Sequence, residues 1–382
     1  MLRNLRHTLA AAAAAAALSG SGRAQEPVKI GEYASLTGKE AAFGQSSHKG
    51  TLLAIEELNA AGGVLGRPIE LITDDNQSKQ GESATIVKKL ISREKVVAIL
   101  GEVASMRSLE AAPICQAYRV PMVSPSSTYP RVTEIGNYIF RVCFTDRFQG
   151  RVLARVARDT LKIRRIALLT SVSSAYSVGL AEAFKEQFAA DGGQVAIEQK
   201  YTEGSKDFDA QLTAIKAKGV EGIFVPGYYT EAALICRQAR ELGIAVPLFG
   251  GDGWEAPELL DIGGPAVEGC YYTTHYSPQV DSPVVKAFVS RFRARFGGET
   301  PDAMAALGYD SAGVVVDAIR RAGSTDGPAV RAALAGTRTF AGVTGLTSMD
   351  SERNASKAAY VIMVKDGNFK FVRSISPQGI AP

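Results

Sequence analysis

From Val28 onward, short runs rich in β-branched and aromatic residues alternate with longer segments whose apolar positions recur at helical spacing. Val28–Ala34 predicts a strand. Residues 46–61 predict a helix, with Leu52, Leu53, Ile55 and Leu58 on its apolar side and Gly62-Gly63 as its stop. Further strands are expected at 69–73, 96–100 and 121–124, separated by helices at 81–92 and 105–118. A second stretch repeats the plan. It predicts helices at 148–161, 178–190, 208–217 and 231–242, and strands at 166–170, 195–199, 222–225 and 247–249.

Such alternation argues for parallel sheets covered by helices on both faces. Each stretch ends in a Pro-led strand and a polar turn, Pro121-Met-Val-Ser-Pro-Ser-Ser-Thr128 and Pro247-Leu-Phe-Gly-Gly-Asp-Gly-Trp254. The expectation is two related lobes rather than one long sheet. Three more helices are expected at 284–296, 303–322 and 329–334. Two β-rich runs follow, 358–364 and 369–373, joined by the hairpin signal Asp366-Gly367. No Pro/Gly/Ser-rich linker parts the stretches, so several short crossings between lobes are expected rather than one tether.

Upstream of this pattern, Arg3 and Arg6 precede an alanine-dominated apolar run from Leu9 to Leu18, and Gly22-Arg23-Ala24 sets small residues before Gln25. This is the layout of a secretory signal peptide cut at Ala24-Gln25. The apolar run is too short to anchor in a bilayer, and the absence of a nearby cysteine excludes a lipid anchor. Export to a bacterial periplasm is the expectation. Charge then reads differently. The 382 residues carry 43 Lys+Arg against 39 Asp+Glu, net +4, but residues 1–24 hold three arginines and no acid, leaving +1. The remaining basic residues are spread out, so neither nucleic-acid nor polybasic membrane binding is supported. With 46% hydrophobic residues the chain can fill two cores.

Most catalytic patterns are missing. After residue 24 only His48 and His275 remain, with no His-Glu-x-x-His, no Gly-x-Ser-x-Gly and no closely spaced cysteine pair. Gly62-Gly63-Val-Leu-Gly66 fits a helix-to-strand turn and neither a phosphate loop nor a dinucleotide fingerprint. Asp74-Asp75-Asn76 lacks the glycine and terminal glutamate of a calcium loop. His275 is read as structural, and neither an enzyme, a metal nor a cofactor is expected. Cys115, Cys143, Cys236 and Cys270 allow pairing within each stretch or four buried thiols, and both stay open.

Polar groups instead gather where strands end, the position at which parallel α/β sheets bind ligands. Ser105 follows the strand at 96–100 and is placed to cap the helix at 105–118, whose N-terminus favours an anion such as a carboxylate. Ser126 and Thr128 follow the next strand and face the same anion. In the second stretch Tyr228 follows one strand and Asp252, between Gly251 and Gly253, follows another. A carboxylate there would pair with an ammonium. Phe43, Tyr176, Trp254 and Met304 are candidates for an apolar wall. An anion pocket facing a cation partner describes a zwitterion site, which an α-amino acid fits.

The run Val28-Lys-Ile-Gly-Glu-Tyr-Ala-Ser-Leu-Thr-Gly38, with Phe43-Gly44, Gly50, Asn59-Ala-Ala-Gly-Gly63, Leu65-Gly-Arg67 and Asp74-Asp75, resembles the start of the branched-chain amino acid binding proteins. These are periplasmic receptors of ABC importers. The resemblance continues through Pro125-Ser-Ser-Thr128, Phe140-Arg141, Gly227-Tyr228, Gly250-Gly-Asp-Gly253 and Tyr309-Asp310. It implies a type I periplasmic binding protein fold: α/β, with two doubly wound parallel-sheet lobes joined by three crossovers. The lobes would comprise 28–142 plus 274–346 and 143–273 plus 347–376, closing on ligand like a hinged clamp. By position, Ser105, Ser126 and Thr128 would hold the ligand carboxylate, and Tyr228 and Asp252 the ammonium. Phe43 and Tyr176 would line the mouth and side-chain pocket. The implied function is delivery of a hydrophobic, branched-chain amino acid to membrane-embedded permease subunits by a monomer that does not itself insert. The alternative is a receptor or sensor of the same fold for an amide or aromatic carboxylic acid. Two departures stand out: Asn76–Ser78 and Ala104 replace the cysteines of an early disulfide found in some members, and Trp254 stands where some leucine binders carry smaller residues.

Overall fold

The computed structural model describes residues 26–380, so the leader and its cut fall outside the described residues. Five parallel strands form the first sheet: β1 (Val28–Ala34), β2 (Ile69–Asp75), β3 (Ala98–Leu100), β4 (Met122–Ser124) and β5 (Ile139–Arg141), in the order β2-β1-β3-β4-β5. The chain then builds β6 (Arg165–Ser171), β7 (Gln194–Tyr201), β8 (Gly222–Phe224), β9 (Leu248–Gly250) and β10 (Tyr271–Thr274) of a second sheet. Three helices and a short hairpin follow, β11 (Phe340–Gly342) with β12 (Gly345–Thr347). The chain ends on β13 (Ala359–Lys365) and β14 (Asn368–Ile375), which extend the second sheet to β14-β13-β10-β9-β8-β6-β7. The last two strands are antiparallel to their neighbours and the others in this sheet are parallel. Both sheets therefore share one doubly wound order, and each has its topological switch point between its first and third strands.

Period-two alternation sorts the strands onto two cores per sheet. In β3, Ala98 and Leu100 pack with Leu307, Val314, Val315 and Ile319 of the helix Ala303–Ala322, while Ile99 packs with Val87, Leu90, Ala111 and Cys115 on the other face. In β6, Ile166 and Leu168 meet Leu180 and Phe184, while Ala167 and Leu169 meet Leu212, Ile215 and Ile235. The helix Ala303–Ala322 thus returns to the first sheet although five strands of the second precede it. It lies against the helix Ala41–Ala60 at backbone contact: a Cβ on Gly50 would stand 1.8 Å from the Ala305 carbonyl oxygen, and one on Gly308 2.2 Å from that of Ser47. The chain passes between sheets after β5, after β10 and after β12. Asp366 (φ 53°) and Gly367 (φ 64°) form the tight turn of the terminal hairpin.

Several boundaries differ from expectation. The first helix begins at Ala41 rather than residue 46. The helix expected at 148–161 runs Asp146–Arg155 and continues as a π-helical turn, Val156–Thr160. The pattern missed β5, β10, the hairpin β11–β12 and the helix Pro257–Gly263.

Candidate functional site

Carboxyl ends of strands from both sheets meet around a small cavity lined by Phe43, Val103, Ser105, Ser126, Thr128, Tyr176, Tyr228, Asp252, Gly253 and Met304. Seven of the eight sequence-predicted site residues lie on it; Val103 and Gly253 are additions. A second cavity, near Glu32 and Glu102, has no lining residue from the second sheet's strands or the turns that follow them.

The first lobe supplies hydroxyls held on a stiff frame. Arg141, at the end of β5, is fully buried, and its guanidinium donates to the carbonyl oxygens of Ser127 (2.5 Å), Tyr129 (2.9 Å) and Pro130 (3.0 Å). This fixes the turn that carries Ser126 and Thr128. Hydroxyls of Ser124 and Ser127 donate to the Glu102 carbonyl at 2.7 and 2.8 Å, tying that turn to the segment before Ser105. The Glu102 carboxyl accepts from Ser35 N and Ala104 N, both at 2.7 Å, and burial beside Glu40 pushes its pKa up to about 7. Ser105 is not the expected helix cap. Ala104 occupies the cap position, and the Ser105 hydroxyl oxygen accepts from Tyr129 N at 3.3 Å, which leaves its hydrogen free to donate. The Thr128 hydroxyl is buried without a close hydrogen bond, with the buried Asp146 carboxyl beside it.

The second lobe supplies a carboxylate and a pair of rings. Asp252 is 4% exposed. Its Oδ2 lies 3.0 Å from His275 Nε2, and its Oδ1 is buried with no partner. The Tyr176 hydroxyl accepts from Gly253 N at 3.1 Å, holding the turn that carries Asp252. A Cβ on Gly253 would stand 2.6 Å from the Gly227 carbonyl oxygen, so only glycine admits this approach. Tyr176 and Tyr228 are stacked, with centroids 5.2 Å apart and planes within 4°, and Phe43 of the other lobe meets Tyr228 edge-on at 5.4 Å.

Trp254 does not line the cavity. Its indole N–H donates to the Val225 carbonyl at 2.9 Å and its ring covers Gly250, so it is a core residue of the second lobe despite its glycine-rich turn. His275, read from sequence as merely structural, stands against the site. Its ring stacks on Phe144 at 3.8 Å, and its Nε2 also lies 3.3 Å from Ser126 Oγ. Serine, histidine and aspartate together suggest a hydrolytic triad, but the geometry is wrong for one. Both partners meet the same nitrogen and Nδ1 has none, whereas a triad needs the serine and the acid on opposite ring nitrogens. Among the described residues no group of three or more His, Cys, Asp or Glu side chains is placed to hold a metal ion.

Contacts across the mouth join the lobes. Lys39 Nζ lies 2.5 Å from Glu203, and the Tyr229 hydroxyl donates to the Lys39 carbonyl at 2.8 Å. Deeper in, Glu255 Oε1 accepts from Ala303 N at 3.1 Å, and the Thr274 hydroxyl donates to its other oxygen. Among the described residues no helix is long and apolar enough to cross a membrane.

The chain resembles known proteins over nearly its whole length. The sequence profile of a family described as periplasmic binding protein matches residues 27–368. Leu/Ile/Val-binding protein homolog 2 of Brucella abortus is 31% identical over 90% of this chain and 93% of its own. The crystal structure of the leucine binding protein LivK of Thermotoga maritima superposes with a TM-score of 0.89 at 42% identity, covering 92% of this chain and 99% of that one. The branched-chain amino acid transporter substrate binding protein LivJ of Streptococcus pneumoniae, solved with isoleucine, gives 0.87 at 34% identity, covering 92% and 100%.

Proposed function

The chain belongs to the periplasmic binding protein family, and from that premise we propose that it is the exported solute receptor of an ABC importer, closing its two lobes on a branched-chain amino acid. The observation that carries this reading is the opposition of two half-satisfied polar groups across one cavity. The Thr128 hydroxyl and Asp252 Oδ1 are both buried, both without a close hydrogen bond, and on different lobes. Buried polar atoms are normally paired, and a ligand carrying an acceptor at one end and a donor at the other pairs both.

In this reading Ser105, Ser126, Thr128 and the N-terminus of the helix Ser105–Tyr118 take the ligand carboxylate. Asp252 takes the ammonium, with Tyr228 beside it. Phe43, Val103, Tyr176 and Met304 enclose the side chain, whose burial contributes about 1.5–3 kcal/mol. A ligand without an amine leaves Asp252 buried and uncompensated, which costs several kcal/mol. Ligand contact with both lobes shifts the open–closed equilibrium toward the arrangement held by Lys39–Glu203 and Glu255–Ala303. The lobes are taken as 28–142 plus 274–346 and 143–273 plus 347–376, working as a monomer that presents its closed face to the permease. Residues 1–24 act as the cleaved leader. The chain binds and releases its ligand without chemistry.

A thermal-shift panel of aliphatic, acidic and basic amino acids, amides and benzoate tests this. Leucine, isoleucine and valine are expected to raise the melting temperature most. A response to benzoate or an amide, with none to any amino acid, would overturn the reading in favour of an aromatic-acid or amide receptor.

A further inference from the structure

Four cysteines are buried in the described residues, and they do not stand alike. Cys115 packs among Ile99, Ala111 and Met122, and Cys143 lies in a different core with Phe140 and Leu307. Cys236 and Cys270 share one core, with their sulfurs 3.8 Å apart, although 34 positions separate them in sequence. Each sits on a firmly held element. Cys236 lies inside the helix Tyr229–Glu241. Cys270 immediately precedes β10, with its N–H on the Val267 carbonyl and its carbonyl accepting from Val364 N at 2.9 Å. The approach of the two sulfurs is therefore set by the packing of helix on sheet and does not depend on a loop.

We propose that Cys236 and Cys270 form a disulfide in the exported protein, pinning the helix Tyr229–Glu241 to the base of β10. The 3.8 Å between the sulfurs leaves less than about 2 Å to close to bonding distance, and oxidation before the core closes avoids the problem of access. The oxidant is a disulfide-bonded thiol oxidant. The thiolate of one of the two cysteines attacks one of the oxidant's sulfurs and expels a thiolate. The thiolate of the other then attacks the cysteine sulfur of the mixed disulfide and expels the second. The cysteines lose two electrons and two protons, and the oxidant leaves as two thiols. The helix starts directly after Tyr228, and β10 leads directly into His275. The bridge thus ties together two segments that carry groups of the ligand site.

The bridge rests on the exported reading for where oxidation occurs, so its test has an arm independent of export. The full chain with its leader is recovered from the oxidising compartment, denatured and alkylated with iodoacetamide without reductant, then weighed and digested. In parallel, reduced protein is refolded in a mixture of reduced and oxidised glutathione. Two alkylated thiols, at Cys115 and Cys143, and a linked peptide pair holding Cys236 and Cys270 are expected in both arms. The oxidised protein should melt a few degrees above the reduced one, and Cys236→Ala should fold with three alkylated thiols. Four alkylated thiols in the exported protein, or a bridge through Cys115 or Cys143, would overturn the proposal. A mapped bridge in a protein that binds no amino acid would count against the receptor reading alone.

Discussion

His275 Nε2 stands 3.0 Å from Asp252 Oδ2, which joins the segment leaving β10 to the turn that follows β9. The contact satisfies one oxygen of a buried carboxylate and leaves the other facing the cavity. Placing the ring hydrogen on Nε2 makes His275 the donor, so the imidazole orients Asp252 without taking its place as acceptor. Asp252→Ala should weaken amino-acid binding by about 100-fold or more, the loss expected for a buried charge-assisted hydrogen bond. His275→Asn should cost less, about tenfold, because Asp252 keeps its charge and loses only its fixed orientation. Calorimetry measures both, with circular dichroism to show that the folds are unchanged. Normal binding by Asp252→Ala would show that the ammonium goes elsewhere.

Thr128 separates binding from stability. Its hydroxyl makes no close hydrogen bond within the protein and has only the buried Asp146 carboxyl beside it, so Thr128→Val removes little that the ligand-free fold relies on. The variant should bind about tenfold more weakly, by the worth of one hydrogen bond to a charged group, with an undiminished ligand-free melting temperature. A drop in stability without a change in affinity would make Thr128 structural.

The two expectations that failed most clearly near the site share a cause. Trp254 sits in a glycine-rich turn, which from sequence places it at the surface of a pocket. The turn in fact folds the indole back onto the Val225 carbonyl, a contact between segments that no local pattern records. His275 was missed because β10 was missed: four residues at the centre of a sheet need no periodicity of their own, so its place at a strand end was invisible. The three-residue β5, which aims Arg141 at the Ser126–Thr128 turn, escaped for the same reason. Among elements with their own signals, Val28–Ala34, Ser105–Tyr118 and Ala303–Ala322 match to the residue, while the first helix begins five residues earlier than expected. The helix Ala303–Ala322 is announced by its Asp302 cap and stopped by Gly323, at φ 60°. The strand-end rule placed Ser126, Thr128, Tyr228 and Asp252 on the cavity, whereas Phe43, Tyr176 and Met304 reach it from helices and Val103 and Gly253 carry no side-chain signal that marks them.

Glu255 makes stability sensitive to pH. Burial beside Asp302 pushes its carboxyl from the ordinary 4.5 up to about 8. The folded protein therefore holds a proton that the unfolded chain releases between those values, so this group's contribution to stability falls as pH rises through the window, by up to about 1.4 kcal/mol per pH unit. Glu255→Gln carries no such proton. Melting temperatures of the two proteins should diverge in favour of the variant as pH rises from 5 toward 8. Parallel curves would mean that Glu255 is ionised in the folded state.

Gly50 tests the return of the helix Ala303–Ala322 to the first lobe. A methyl group there would meet the Ala305 carbonyl at 1.8 Å, backbone that cannot rotate away. Gly50→Ala should cost about 1–3 kcal/mol of stability, read from denaturant unfolding. Full stability would show that the two helices are not in backbone contact.

The central claim is that both charged ends of an amino acid are bound, one by each lobe. Calorimetric titration with leucine and with 4-methylpentanoate, the same molecule without its amine, tests it most directly. Leucine is expected to bind about 100-fold more tightly or better, because the acid leaves Asp252 Oδ1 buried without a donor. Equal affinity for the two would contradict the account.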